Sequence, residues 1–304
     1  MLRHTTNHSC SVGGSHDSLN VSLFRALTDS CVQRFIRRGI HISFPLPDKL
    51  RVCADPNNLP YSNKDQQGFE NKIAEQLAQY FHLDVEYVWF PQRMGFIRNT
   101  LKNYSDETGR FACDLVIGVP TQFDIAATTK PYYRSSYSII FKKDGPLGAA
   151  ITQQDVAALP DTVKQSLSVA AFAPSPAVTW LRDNGFKGNT SYFRIMNGDA
   201  EDYPGKMVNR VADGEFDMLV IWGPIAGYFA KSNPDLAVIS MTSEGSSVFD
   251  FPISMGVRYG ERPWKKTVEM AMDANAPQIA MILNDFGVPV VEASSAPLGG
   301  DDDD

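Results

Sequence analysis

Histidine and cysteine are scarce in this chain beyond its first 44 residues. Of the five histidines only His82 lies beyond that segment, and of the four cysteines only Cys53 and Cys113 do. Histidine-dependent triads and zinc sites made of His and Cys need several such side chains close together. His82 follows a predicted helix, where a solvated helix cap is its simplest role. The sequence therefore predicts no metal site, no cofactor and no catalytic residue.

Long apolar runs and an excess of positive charge are also missing. No apolar stretch reaches the roughly 18 residues that a membrane-spanning helix needs. The formal net charge is -7, whereas proteins that bind nucleic acid gain their affinity from basic surfaces. We therefore expect a soluble globular protein that neither spans a membrane nor binds nucleic acid.

The two ends of the chain differ from the rest. Residues 1–44 carry five arginines against two aspartates, a formal charge of +3 that leaves -10 for the remainder. They also lack the apolar core of a secretory signal. Residues 293–304 end in four aspartates, which indicates a solvated acidic tail. We predict that the atypical N-terminal extension and the acidic tail are both outside the fold.

The chain between these ends is organised around residues 51–74. This stretch begins as a short apolar strand, breaks into a loop rich in Asn and Pro, and restarts as a helix behind Gly68. A strand that leads through a polar loop into a helix N-terminus is how open α/β sheets form the mouth of a ligand site.

Strands and helices alternate onward to residue 286, and polar segments near 142–146 and 242–250 indicate two crossings. The predicted fold is α/β with two lobes, each a mostly parallel sheet flanked by helices, joined by two crossover hinge segments. Lobe 1 is expected to contain residues 45–143 and 252–292, and lobe 2 residues 144–251. A helix over 265–286 is expected to be interrupted near Pro277.

Several sequence strings resemble a known family. They are RVCADPNNLPYSN, GFENKIA, CDLVIGVPT, PYYRSSY, DMLVIWGPIAGYFAK, SMGVRYG and DFGVPVV. In this order and spacing they resemble the MxaJ-type proteins, solute-binding-like proteins associated with quinoprotein (PQQ) alcohol dehydrogenases. That group lies within the bacterial extracellular solute-binding proteins of family 3. The resemblance covers residues 48 to 290 and implies the two-lobed fold of periplasmic binding proteins.

The sequence departs from the amino-acid receptors of that superfamily at the ligand clamp. In those receptors an Arg three residues after a Thr holds the ligand carboxylate, and an Asp in the second lobe holds the ammonium group. The matching positions here are Thr121, Asp124 and Trp222. A buried carboxylate facing a ligand carboxylate is unfavourable by several kcal/mol. We therefore expect no amino-acid capture, and a cleft narrowed by Trp222.

Other candidate ligand contacts each have an alternative interpretation. Asn57 and Tyr61, in the loop after the first strand, either form a polar lip of the cleft or serve turn formation. Arg93 either holds an anion or forms a surface ion pair. Tyr132, in an aromatic patch near the first crossing, either stacks on a ligand or partner or packs across the hinge.

The two cysteines of the first lobe lie in or beside strands expected to be neighbours. With the periplasmic location that the resemblance implies, Cys53 and Cys113 are candidates for a disulfide. Two buried thiols are the alternative.

The resemblance implies a non-enzymatic periplasmic accessory protein of a PQQ-dependent methanol dehydrogenase system. Such a protein would assist maturation or activity through contact with dehydrogenase subunits. The alternative is a periplasmic receptor that delivers a solute other than an amino acid to a transporter or to the dehydrogenase. An enzyme is the weakest hypothesis, because the carboxylates of Glu70 and Asp124 have no histidine, metal set or nucleophile beside them.

Overall fold

The computed structural model describes residues 46–186, 188–194, 203–243 and 248–292. The predicted N-terminal extension and acidic tail lie outside these ranges. The strands are β1 Lys49–Ala54, β2 Asn57–Asn58, β3 Ser62–Asn63, β4 Asp84–Trp89, β5 Tyr104–Ser105, β6 Arg110–Phe111, β7 Leu115–Pro120, β8 Ala127–Thr128, β9 Tyr133–Lys142, β10 Val169–Ala173, β11 Thr190–Arg194, β12 Met218–Trp222, β13 Leu236–Ser240 and β14 Asp250–Val257. The helices are α1 Phe69–Phe81, α2 Phe96–Asn99, α3 Gln153–Ala157, α4 Asp161–Ser166, α5 Pro176–Asp183, α6 Pro204–Ala212, α7 Gly223–Lys231, α8 Arg262–Ala274 and α9 Ala276–Asp285.

The first lobe is built on β1, which lies between β4 and β7 and pairs in parallel with both. The apolar run of β7 is almost fully buried, as expected for a parallel strand covered on both faces. β14 pairs antiparallel with β7 and closes this half of the sheet.

The second lobe repeats the pattern. β10 lies between β11 and β12 and is parallel to both. β9 pairs antiparallel with β12 and with β13. Within the described residues, each lobe is thus a mostly parallel sheet with antiparallel additions, flanked by helices, which is the predicted fold class.

β9 belongs to both sheets and links the lobes. Its residues 133–136 pair with β14, whereas residues 137–141 pair with β12, and the partner changes between Ser136 and Tyr137. The connection back to the first lobe lies beside this point of β9. There the Tyr137 amide donates to the carbonyl of Phe249, and Asp250 is the first residue of β14. We propose these two adjacent points as the hinge. The point between Ser136 and Tyr137 lies before the expected crossing at 142–146. The polar segment at 142–146 follows the shared strand β9, whereas the link between the lobes lies within β9.

The helices of the first lobe bury apolar side chains that lie about one turn apart. In α1 the residues Ile73, Leu77 and Phe81 are buried. They belong to a core that also includes side chains of β1, β7, α8 and α9. The predicted interruption near Pro277 is confirmed, because α8 ends before Asn275 and Pro277 lies in the first turn of α9. Proline is tolerated there because no partner for its missing N–H is needed.

Candidate functional site

A cavity of about 440 Å³ lies between the two lobes. Its walls come from the loop after β1, from α1, from the ends of β7 and β12, and from the shared strands β9 and β14. The lining residues are Asn58, Tyr61, Glu70, Gln92, Gly118, Val119, Pro120, Tyr133, Tyr137, Phe172, Pro204, Ile221, Trp222, Ile225, Phe251 and Ile253. The cavity is therefore a ligand-sized, mainly apolar cleft.

Asp55 fixes the loop that forms one lip of the cleft. Its carboxylate accepts hydrogen bonds from the amide of Asn57 over 2.8 Å and from the amide of Gln92 over 2.5 Å. The Ser62 hydroxyl donates to its carbonyl over 2.9 Å, and its own amide donates back to that hydroxyl over 3.1 Å. Asp55 and Ser62 thus stabilise the turn itself.

The N-terminus of α1 is closed by the same loop. The amide of Gly68 donates to Asn71 Oδ1 over 3.1 Å. The next two amides donate to the carbonyl groups of Pro60 and Tyr61 over 2.8 and 2.9 Å. A Cβ at residue 68 would come within 2.0 Å of the Tyr61 oxygen, so only glycine permits this approach. These three amides are occupied within the protein and offer no anion site.

Glu70 places a carboxyl group inside the cleft. The partly buried side chain lies over Gly118, where a Cβ would come within 2.1 Å of Glu70 Oε1. Burial, and to a smaller degree the charge of Asp55, raises the pKa of Glu70 to about 8. Near neutral pH the group is mainly the neutral acid. Nothing local in the sequence shows that the Glu70 side chain turns toward a glycine on β7.

Aromatic rings cover much of the remaining wall. The ring of Trp222 packs edge-on against Tyr137 with centroids 5.4 Å apart and tilted against Phe251 at 5.9 Å. Burial raises the pKa of Tyr61 and of Tyr133 well above the ordinary value, so both are neutral phenols. Trp222 lies in the wall as expected, and a ligand-sized space remains beside it.

Two of the seven predicted ligand contacts lie in this lining, namely Tyr61 and Trp222. Asn57 is exposed on β2, and its neighbour Asn58 reaches the cleft instead. There the Asn58 side chain donates to Gln92 Oε1 over 3.1 Å. Alternation along a two-residue strand decides which of the two asparagines faces inward.

Two positions of the lost amino-acid clamp, Thr121 and Asp124, lie outside the lining. Thr121 Oγ1 donates to the Pro252 carbonyl over 3.1 Å and is 2.7 Å from Ser254 Oγ, so it joins β7 to β14. Asp124 has an exposed side chain. Among the described lining residues there is no Arg, Lys or His, and Glu70 is the only ionised or ionisable carboxylate.

Arg93 and Tyr132 line two other cavities. Arg93 is exposed beside Arg98 and Lys102 around a neighbouring space of about 680 Å³. Tyr132 lies in a space of about 530 Å³ formed with α9, where its buried hydroxyl has no hydrogen-bond partner among the described residues. Ligand contact by either side chain stays a prediction.

The lobes also touch across the mouth of the cleft. The Tyr203 hydroxyl, just before α6, donates to the carbonyl of Leu59 in the loop after β1 over 3.1 Å. This bond joins the second lobe to the lip of the first.

Cys53 and Cys113 form the predicted disulfide, with Cα atoms 5.5 Å apart. Cys53 lies in β1 and Cys113 just before β7, and both are buried in a small core on the outer face of the first sheet. The disulfide prediction is confirmed, because parallel pairing of β1 with β7 brings residues 60 positions apart side by side.

The described ranges contain neither a cluster of metal-binding side chains nor a membrane-spanning helix. No three His, Cys, Asp or Glu side chains there are grouped so as to hold a metal ion. No helix there is both long and apolar enough to cross a membrane.

Comparison with known proteins places the chain. No family model matches it. It is 29% identical to the protein MoxJ of Methylorubrum extorquens over 263 residues, which cover 81% of this chain and 83% of MoxJ.

Two crystal structures show the same relationship. One is MxaJ from Methlophaga aminisulfidivorans MPT, with a TM-score of 0.65 and 29% identity over 80% of this chain and all of MxaJ. The other is the periplasmic binding protein XoxJ from Methylobacterium extorquens AM1, with a TM-score of 0.62 and 26% identity over the same share of each chain. The chain is therefore similar to the MoxJ, MxaJ and XoxJ proteins over about four fifths of its length, and it has the fold of the periplasmic solute-binding proteins.

Proposed function

We propose that this chain is a non-enzymatic periplasmic accessory protein of a PQQ-dependent methanol (alcohol) dehydrogenase system, acting by protein contact. The observation that carries the proposal is the similarity to MoxJ, MxaJ and XoxJ, which extends over about four fifths of the chain. A similarity of that extent includes both lobes and the shared strands, not a single motif.

The chemistry of the cleft supports a role other than amino-acid capture. A zwitterionic ligand needs a cation for its carboxylate, and the described lining provides none. Its carboxylate would be partly buried without a compensating charge, which is unfavourable. The single carboxyl group, without a histidine or a nucleophile beside it, likewise gives no support to an enzyme.

Affinity capture from the periplasm of methanol-grown cells tests the proposal. With the tagged full-length chain as bait, we expect enrichment of quinoprotein dehydrogenase subunits over a tagged amino-acid receptor of the same fold. The purified subunits should then bind the purified chain in biolayer interferometry. If the purified subunits fail to bind, the accessory role by protein contact is wrong.

The alternative function is that of a receptor for a solute other than an amino acid. The observation that favours it is the ligand-sized cavity, which a protein acting only by its surface does not require. We propose Tyr61 and Trp222 as ligand contacts in that case, with closure about the hinge in β9 and β14. The two roles are compatible, since the cleft and the outer surface are different parts of the molecule.

A further inference from the structure

Among the described residues that line the cleft, Glu70 is the one with a carboxyl group, and none of the others carries a positive charge. Neither a hydrogen bond nor an ion pair joins the Glu70 carboxyl group to another described residue, and the lining holds no Arg, Lys or His. An acid enclosed without a partner is unfavourable in its ionised form. A cation placed beside the carboxyl group would compensate that charge.

The space for this carboxyl group is built into the strand beneath it. At Gly118 any other residue would place a Cβ 2.1 Å from Glu70 Oε1. No φ value at Gly118 requires glycine, since the residue lies within the extended strand β7. Glycine at residue 118 therefore serves to leave room for the carboxyl group of Glu70.

The helix N-terminus is not what holds the acid. The amides of residues 68, 69 and 70 bond to Asn71 and to the two loop carbonyls described above. Glu70 therefore points into the cleft without the backbone contacts that usually stabilise an acid in the first turn of a helix.

Aromatic rings surround the space in front of the acid. Tyr61 and Tyr133 are near enough that the Glu70 charge acts on both hydroxyl groups. Tyr137, Trp222 and Phe251 line the same cavity, with successive ring centroids 5.4 and 5.9 Å apart. The faces of such rings attract cations, most strongly alkylated ammonium groups that carry little hydration.

From this combination we infer that the cleft binds a small organic ammonium ion, with its charged nitrogen at Glu70 and its apolar body between the aromatic rings. Hydrated inorganic cations do not fit, because the apolar walls cannot replace their water ligands. An anion, or the carboxylate of a zwitterion, meets no cation in the described lining. The inference goes beyond the accessory role and is independent of which dehydrogenase subunit binds.

Binding of the cation should release the proton of Glu70. An ammonium ion favours the ionised carboxylate, so the proton held by Glu70 in the empty cleft passes to the buffer when the ion enters. An uncharged ligand of the same shape releases no proton. Proton release therefore distinguishes an ion at Glu70 from a molecule that only fills the apolar space.

Isothermal titration calorimetry with the full-length chain provides the test. The probes are choline and 3,3-dimethylbutan-1-ol, which have the same shape and differ in the charge of the central atom, and benzyltrimethylammonium as a larger cation. We expect saturable binding of at least one of the two cations, at least tenfold tighter than that of the alcohol. Titrations at pH 6.5 in buffers of different ionisation enthalpy should show release of most of one proton.

Matched variants locate the site. Glu70→Gln keeps the size of the side chain and should weaken cation binding at least tenfold and abolish proton release. Gly118→Ala should also weaken it by displacing the acid, and Trp222→Leu by removing one ring. Glu75→Gln, on the same helix but paired with Lys72 outside the cleft, should bind as the unaltered chain does.

The inference is overturned if neither cation binds at millimolar concentration, if the alcohol binds as tightly as choline, or if Glu70→Gln binds the cations unchanged. Circular dichroism and the unfolding temperature identify any variant that fails to fold, and Glu70→Gln alone then decides. Capture of dehydrogenase subunits by Glu70→Gln should equal that of the unaltered chain. Failure of the cation site is thus separable from failure of the accessory role.

Discussion

The carboxyl group of Glu70 lies among aromatic rings, where burial raises its pKa from 4.5 to about 8. The folded protein therefore holds this proton more tightly than the unfolded chain does. Its contribution to stability is present in full below pH 4.5 and is lost as the pH rises toward 8, because the ionised group is unfavourable in the cleft.

Replacement of Glu70 by glutamine should reduce this pH dependence. Glutamine resembles the neutral acid, so Glu70→Gln and the unaltered chain should have similar free energies of unfolding near pH 4.5. Toward pH 8 the variant should become the more stable, by up to about 1.4 kcal/mol for each pH unit. Urea unfolding at a series of pH values measures the difference.

Glu75→Gln is the control for this series, because Glu75 lies on the same helix and outside the cleft. Its pH dependence should follow that of the unaltered chain. Parallel pH curves for Glu70→Gln and the unaltered chain would show that ionised Glu70 is not penalised in the cleft.

Among elements, β1 and β7 depend on each other through a covalent bond as well as through their pairing. The disulfide closes a loop of 60 residues that contains α1, β4 and α2. A cross-link over that length lowers the entropy of the unfolded chain by the equivalent of about 4 kcal/mol.

We expect the double variant Cys53→Ala/Cys113→Ala to lose about 4 kcal/mol of unfolding free energy, measured by urea denaturation. Dithiothreitol should lower the unfolding midpoint of the unaltered chain and leave that of the double variant unchanged. An unaltered midpoint in dithiothreitol would mean that the bond is not formed in solution or does not stabilise the fold.

On the scale of the whole molecule, α7 of the second lobe packs against the segment that follows α9 of the first. The ring of Tyr228 stacks on Phe286 with centroids 5.8 Å apart, and Lys231 Nζ donates to the Asp285 carbonyl over 2.5 Å. A Cβ at Gly227 would come within 1.8 Å of the Gly287 oxygen. This contact lies beside the hinge and sets how closely the lobes approach.

Gly227→Ala should therefore separate α7 from this segment and lower the free energy of unfolding by about 1–3 kcal/mol. Chemical denaturation measures the loss. Gly188→Ala is the matched control, because its Cβ would meet the nearest atom at an ordinary 3.4 Å. Equal stability of the two variants would contradict the close packing of α7.

Local pattern was enough to predict several elements. The helix predicted behind Gly68 is α1, in which the buried residues Ile73, Leu77 and Phe81 lie at every fourth position. Pro277 likewise indicated where the last helix is interrupted. Such features depend on neighbours within one or two turns of chain.

The alternation of strands and helices along the sequence thus indicated the fold class, because it follows from local periodicity. The sequence made Cys53 and Cys113 candidates for a disulfide, and the structure showed that they are bonded. The expected loss of the charged amino-acid clamp comes from the resemblance to the amino-acid receptors, not from periodicity. Only the tertiary structure decided that β9 is shared by both sheets, that Asn58 rather than Asn57 faces the cleft, and that Glu70 lies over Gly118 among aromatic rings. The reason is that strand pairing and lobe packing join residues far apart in sequence, and no local pattern records which side chains then meet.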